Sequence, residues 1–205
     1  MINKSLIEFT EITASNSPVP GGGGISSLVG SLAASLSGMV TSLTTGKKKY
    51  AEYEDEIQSI MKEADELRIK LLNGVNDDAN AFYPLSKAYS IPKDEEGRDE
   101  KLEECLKVAA NPPLEVVKLC CRVIELDERL AVIGSKLAIS DAATSAALAK
   151  AALNGGYINV VVNTRLMKDK AYADNLEKET KTLVDEYSLR ADKCFDEVLS
   201  RLQNG

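Results

Sequence analysis

From Thr13 to Gly46 the chain carries no charged residue. Within that stretch Pro18-Val19-Pro20-Gly21-Gly22-Gly23-Gly24 leads directly into a strongly periodic apolar run. Ile25, Leu28, Val29, Leu32, Leu36, Met39, Val40 and Leu43 recur at helical spacing. The positions between them hold Ser, Ala and Gly, small enough for other helices to come close. A helix with no charged face is expected to be buried on every side. The rest of the chain must therefore wrap further elements around it. The glycines leave backbone N–H groups free to approach something closely. The helix they open adds the positive end of its dipole, so the junction suits an anionic or acceptor-rich group. A plain linker is the alternative, but linkers rarely abut a helix patterned so strictly.

An uncharged stretch of this length raises the question of a membrane. A spanning helix needs about 20 predominantly apolar residues. Here Ser, Thr, Gly and Pro make up more than half of the stretch, and no aromatic residue marks an interface. The N-terminus, with Leu6, Ile7, Phe9 and Ile12, reads as an amphipathic helix and not as a secretory signal. The expectation is a cytoplasmic protein without a membrane partner.

The net charge of −7 argues against a nucleic-acid partner, which needs a basic face. Lys47-Lys48-Lys49 is the one compact basic spot. The chain has no histidine. That excludes Ser-His-Asp and Cys-His mechanisms and any zinc site that needs imidazole. Proton transfer must then use carboxylates, lysine, tyrosine, cysteine or water. Cys105, Cys120, Cys121 and Cys194 lack C-x-x-C spacing and read as reduced, mostly buried thiols.

Periodicity and breakers predict helices at about 2–15, 23–45, 50–89, 95–110, 113–153 and 167–203. Gly46, Ile91-Pro92, Asn111-Pro112-Pro113 and Asn154-Gly155-Gly156 are the expected stops. Tyr157 to Asn163 is β-like but has no partner strand, and is expected as an extended connector. The sequence thus predicts an all-α multihelical bundle, a single domain over residues 1–205. The third and fifth helices would each span roughly 60 Å, long enough to call for a homodimer that covers their apolar stripes.

Two carboxylates fall where core residues belong. Asp78 sits in the stripe formed by Leu71, Val75, Phe82 and Leu85, whereas Asp77 points away. Asp141 lies at the centre of the face formed by Leu130, Ile133, Leu137, Thr144 and Leu148. A carboxylate on a buried face costs several kcal/mol unless it is paired or hydrogen-bonded. Structural alternatives stand beside a functional one: a helix break near Ser140 that leaves Asp141 at a cap, and an ion pair for Asp78.

Several segments together resemble one family. They are the PGGG turn into a Ser/Ala/Gly-rich helix, Gly46 to Tyr50, and Asp78-Ala79-Asn80-Ala81-Phe82. With them go Pro92-Lys93, Pro112 to Glu115, Ser140-Asp141 and Ile158 to Asn163. In this order they resemble the cyclodeaminase/cyclohydrolase folate enzymes, over essentially the whole chain. The resemblance implies an intertwined helical homodimer, a tetrahydrofolate substrate that is free or polyglutamylated, no metal and no further cofactor. It implies methenyltetrahydrofolate cyclohydrolase activity first, with formiminotetrahydrofolate cyclodeaminase activity as the alternative. A catalytically silent folate- or protein-binding dimer is a third reading. Under the resemblance Asp141 leads as the acid–base group, Asp78 supports the cation or orients the pterin, and Lys93 contributes from a loop. Pro20, Gly21, Gly22, Gly23, Gly24 and Phe82 would meet the substrate, with Ser140, Asn159 and Asn163. Lys47 and Lys49 would attract the carboxylates of its tail.

Overall fold

The computed structural model describes residues 1–204, and every regular element in them is helical. The order is α1 (Leu6–Thr13), α2 (Gly22–Ser42), a 3-10 segment (Lys48–Tyr53), α3 (Glu54–Tyr89), α4 (Arg98–Ala109), α5 (Asn111–Ile133), α6 (Ile139–Thr164) and α7 (Lys170–Asn204). The helix α2 is the centre of the bundle, flanked by α3 and α6 and backed by α5. Its serines make the joints. Ser27 and Ser31 donate to the carbonyls of Leu71 and Arg68 in α3, and Ser145 of α6 donates to Ala33. The outer helix α7 covers α5 and α6 through Arg190 to Glu128 and Lys150 to Asp192.

Although α2 is long and apolar enough to cross a membrane, it is packed into this bundle. Its expected burial on every side fails along one stripe. Leu32 and Met39 remain 51% and 48% exposed in the single chain, on the face opposite α5. The exposed face of α6 adjoins it, with Thr144, Ala147, Ala151, Ile158 and Val162 and no charge.

Two of the expected elements are corrected. The single helix over 113–153 does not exist. It breaks at Gly134, which is extended at ψ 163°. A Cβ there would lie 2.5 Å from the Leu130 carbonyl oxygen and 2.9 Å from Val40. The backbone freed by the break is satisfied from elsewhere: Ser135 N–H donates to Thr44 Oγ1 and Lys136 N–H to the Tyr50 hydroxyl.

Asn154-Gly155-Gly156 is also not a stop, and Tyr157 to Asn163 is not an extended connector, because α6 runs through both to Thr164. These glycines are packing positions. A Cβ on Gly155 would lie 2.1 Å from Ser26 Oγ, and one on Gly156 would lie 2.9 Å from the Pro113 carbonyl oxygen. Close helix contact outweighs the weak helix propensity of Gly and of the β-branched run.

The interior also holds a carboxylate that the periodicity argument passed over. Asp127 of α5 is completely buried. Its Oδ1 accepts from Ser37 Oγ at 2.7 Å, while its Oδ2 has no partner among the described residues. Burial holds its pKa well above the ordinary carboxylate range. The four cysteines are free and buried. Burial pushes the Cys121 and Cys194 thiols up to about 12, which makes them inert at neutral pH.

Candidate active site

The start of α2 is where side chains from three helices meet. Gly21 is extended, and α2 begins at Gly22 with no side-chain cap. Its free N–H groups take a partner from α3 instead. Gly24 N–H donates to Asp78 Oδ2 at 2.9 Å. Asp78 lies so close to the helix start that a Cβ on Gly23 would sit 2.1 Å from its Oδ1. A Cβ on Gly22 would sit 3.0 Å from Asn159 Nδ2 of α6. The glycine turn was expected to admit a ligand. The structure shows that it first admits the protein's own Asp78 and Asn159.

These residues line a cavity of about 260 Å³, with Phe82 and Tyr89 of α3 and Asn163 and Arg165 at the end of α6. Pro20 is buried beneath the turn, against Gly24. Asn159 Nδ2 donates to the Gly155 carbonyl, and Asn163 Nδ2 donates to the carbonyls of Asn159 and Ala109. Their side-chain oxygens receive no donor among the described residues and remain as acceptors. Asp78 forms no ion pair among those residues. Burial raises its pKa, and the Gly24 N–H opposes that rise in part. Burial likewise raises the Tyr89 phenol, with the Arg165 cation working in the opposite direction.

The other candidates lie elsewhere in the chain. The helices α2 and α6 run antiparallel: Gly22 meets Asn159, Ser26 meets Gly155, and Ser37 lies 3.1 Å from Ser145. Asp141 stands in the first turn of α6, half-buried. Eighteen residues separate it from Asn159, about 27 Å along the helix. The stripe argument that placed it in a core needed a continuous helix, and the break before Ile139 removes that premise. Ser140 is exposed beside it. Lys47 and Lys49 are exposed at this same far end, past the C-terminus of α2. Lys93 is exposed on the loop between α3 and α4 and does not line the cavity. Tyr89 and Arg165 were missed. Tyr89 continues the apolar stripe of Phe82 and Leu85 and carries no separate signal, and Arg165 lies beyond a segment expected to be extended. Among the described residues no group of three or more Asp, Glu, Cys or His is placed to hold a metal ion.

A half-buried carboxylate that accepts from one opening N–H of a helix, in a cavity also lined by two asparagines, a phenol and a guanidinium, is the candidate site of this histidine-free, all-helical chain. Known proteins place it further. The family model described as formiminotransferase-cyclodeaminase matches residues 5–182. The chain is 36% identical to a methenyltetrahydrofolate cyclohydrolase of Methylorubrum extorquens, covering 98% of both chains. It is 25% identical to the formimidoyltransferase-cyclodeaminase of Sus scrofa, of which it spans 38%. The solved structure of formiminotetrahydrofolate cyclodeaminase from Thermotoga maritima superposes with a TM-score of 0.85 at 31% identity, covering 96% of this chain and 98% of that one. The chain belongs to the formiminotransferase-cyclodeaminase family.

Proposed function

We propose that this protein is an enzyme acting on the one-carbon bridge between N5 and N10 of tetrahydrofolate, with Asp78 as the group that moves the proton. The observation that carries this is Asp78 itself: a carboxyl held by Gly24 N–H on the glycine turn at the cavity wall, with no cation partner among the described residues and a pKa raised by burial. Ring closure with loss of ammonia is the reading that the family model, the Thermotoga structure and the bifunctional relatives support together. Hydrolysis of the methenyl bridge is favoured by the Methylorubrum relative, which matches end to end.

Both reactions begin with Asp78 ionised. In ring closure N10 attacks the carbon of the formimino group, which enters protonated as an amidinium. Asp78 takes the N10 proton and returns it to the departing nitrogen, so that ammonia and the methenyl cation form. In hydrolysis water attacks the methenyl carbon. Asp78 takes one of its protons and returns it to the ring nitrogen that leaves, and the hydroxyl releases its remaining proton to solvent as the formyl carbonyl forms. In ring closure the carboxylate stands beside the cation that develops as ammonia leaves, where fixed negative charge lowers the barrier, and in hydrolysis it serves as base toward the attacking water. The side-chain oxygens of Asn159 and Asn163 suit the N–H donors of a pterin.

The chain is further proposed to work as a homodimer paired through the exposed uncharged stripes of α2 and α6. A two-fold axis perpendicular to this antiparallel helix pair would set the far end of one copy on the near end of the other. Asp141, Lys47 and Lys49 of one subunit would then complete the cavity that holds Asp78 in its partner.

The test is to incubate purified protein separately with formimino- and methenyltetrahydrofolate. The methenyl chromophore and released ammonia are followed. Chromophore appearing with ammonia supports cyclodeamination, and chromophore vanishing without ammonia supports hydrolysis. No turnover of either substrate refutes the proposal.

A further inference from the structure

The chain has seven arginines, and six of them form ion pairs: Arg68, Arg98, Arg122, Arg129, Arg190 and Arg201. Arg165 alone has no carboxylate partner among the described residues, and it lines the Asp78 cavity. The nearby cations are otherwise engaged. Lys168 pairs with Asp99, Lys107 pairs with Asp169, and Lys170 donates to Arg165's own carbonyl oxygen. A guanidinium left free in an acidic protein, at the edge of a cavity, matches a carboxylate or phosphate supplied by a ligand. Its planar fork suits two-point binding.

Resting on the folate reading above, we propose that Arg165 binds a carboxylate of the substrate's first glutamyl residue and so sets how deeply the substrate seats. Three observations support it. The polar groups suited to the pterin, Asp78 and Asn159, lie at the glycine turn, and Arg165 lies toward the C-terminus of α6. Six residues separate Asn159 from Arg165, roughly 9 Å along the axis, comparable to the p-aminobenzoyl spacer that separates the reacting bridge from the glutamate. The cavity, at about 260 Å³, is smaller than the roughly 300–1,000 Å³ typical of a site enclosing a whole drug-sized ligand. It therefore encloses the bicyclic head and leaves the tail at its rim, where Arg165 stands. The lysines expected to meet the tail are at the other end of α2 in the same chain, so within one subunit Arg165 is the free cation at this cavity among the described residues; lysines that a partner brings to the cavity would act beside it.

The competing role for Arg165 is structural: a cation at the C-terminus of α6 interacts favourably with the helix dipole. Ligand and protein changes made together separate the two. The probes are 5-formyltetrahydrofolate and its diamide, in which both glutamyl carboxylates are replaced by neutral amides. Dissociation constants are measured by calorimetry for wild type, Arg165→Ala and Arg165→Gln. Charge-assisted hydrogen bonds are worth about ten- to 150-fold in affinity. Wild type is expected to bind the diamide weaker by that factor. Both variants should bind the natural probe as weakly as wild type binds the diamide, with no further loss on amidation. In turnover they should raise KM and leave kcat nearly unchanged.

Equal loss on amidation in wild type and variants overturns the proposal, because the carboxylates are then read elsewhere. So does a variant that binds the natural probe like wild type. Weakened binding of both probes by the same factor, together with a lowered melting temperature, assigns Arg165 the structural role and also overturns it. If wild type binds neither probe and turns over neither folate substrate, it is the folate reading that has failed.

Discussion

Gly23→Ala tests the geometry of the site at a single atom. The added Cβ would lie 2.1 Å from Asp78 Oδ1 and 2.7 Å from its Cγ, where carbon contacts normally rest at about 3.5–4 Å. Oδ1 must withdraw by more than about 1 Å. The bond from Gly24 N–H, 2.9 Å long, breaks with that movement, and a hydrogen bond to a charged group is worth about 1.5–3 kcal/mol. Ala gains up to about 1 kcal/mol of helix propensity over Gly. The two effects partly offset, so the fold should persist with a melting temperature changed by a few degrees. Turnover should nevertheless fall by about 10²-fold or more, the usual effect of losing a positioned proton-transfer group. The neighbouring glycines are internal controls. A Cβ on Gly24 would meet nothing closer than 3.5 Å, and one on Gly38 meets nothing within 4 Å. Gly24→Ala and Gly38→Ala should therefore keep nearly full activity. Steady-state assay of the three variants, with thermal melts, decides the matter. Gly23→Ala retaining turnover within a factor of about three, too little for a displaced acid–base group, would refute the reasoning.

Asp78→Asn should lower kcat by about 10²- to 10⁴-fold. In wild type, kcat/KM should fall on the acid side with a midpoint above the ordinary aspartate range, since burial raises the Asp78 pKa, and this limb should vanish in the variant; a pH profile with the limb intact would exclude Asp78 as its source. Co-expression of Asp78→Asn and Asp141→Asn chains should recover about a quarter of wild-type activity, because half of the dimers are mixed and each mixed dimer holds one intact site of two. Recovery no greater than the parent variants would reject the shared site. Asp127 has its folded pKa raised, so the native state binds more protons than the unfolded chain, and stability must fall as pH rises from about 4 toward the folded value. Melting temperatures between pH 5 and 9 should therefore fall more steeply for wild type than for Asp127→Asn, and parallel curves would contradict this.

The helical class and the central role of α2 could be read from the sequence because an uncharged, strictly periodic run admits few other arrangements. Asp78 could be read for the same reason. It interrupts a helix that the structure keeps continuous from Glu54 to Tyr89, so its neighbours at i±3 and i±4 are its true neighbours in space. Asp141 was misplaced by the same logic applied across Gly134, where a glycine that breaks a helix and one that packs inside a helix look alike in sequence. Gly155 and Gly156 gave the converse error. What distinguishes these roles is the partner surface: at Gly134 the chain leaves the helix with no room for a Cβ against the Leu130 carbonyl and Val40, whereas Ser26 and Pro113 press on a helix that continues. That misreading also hid Arg165, since a residue after an extended connector has no predictable face. Asp127 was passed over because Glu125, Glu128 and Arg129 around it look like a solvated run. Its spacing from Cys120, Ile124, Leu130 and Ala131, all buried, was the signal that it belongs to the core.

The two carboxylates thus differ in kind. Asp127 is buried beside Ser37, with one oxygen left without a partner among the described residues, and none of its surface is exposed. Asp78 is half-buried, takes a single backbone donor and faces a cavity. Burial raises both pKa values, so a perturbed pKa alone does not mark the site. Access to a cavity does, together with a helix start whose lack of side chains leaves room for the carboxylate.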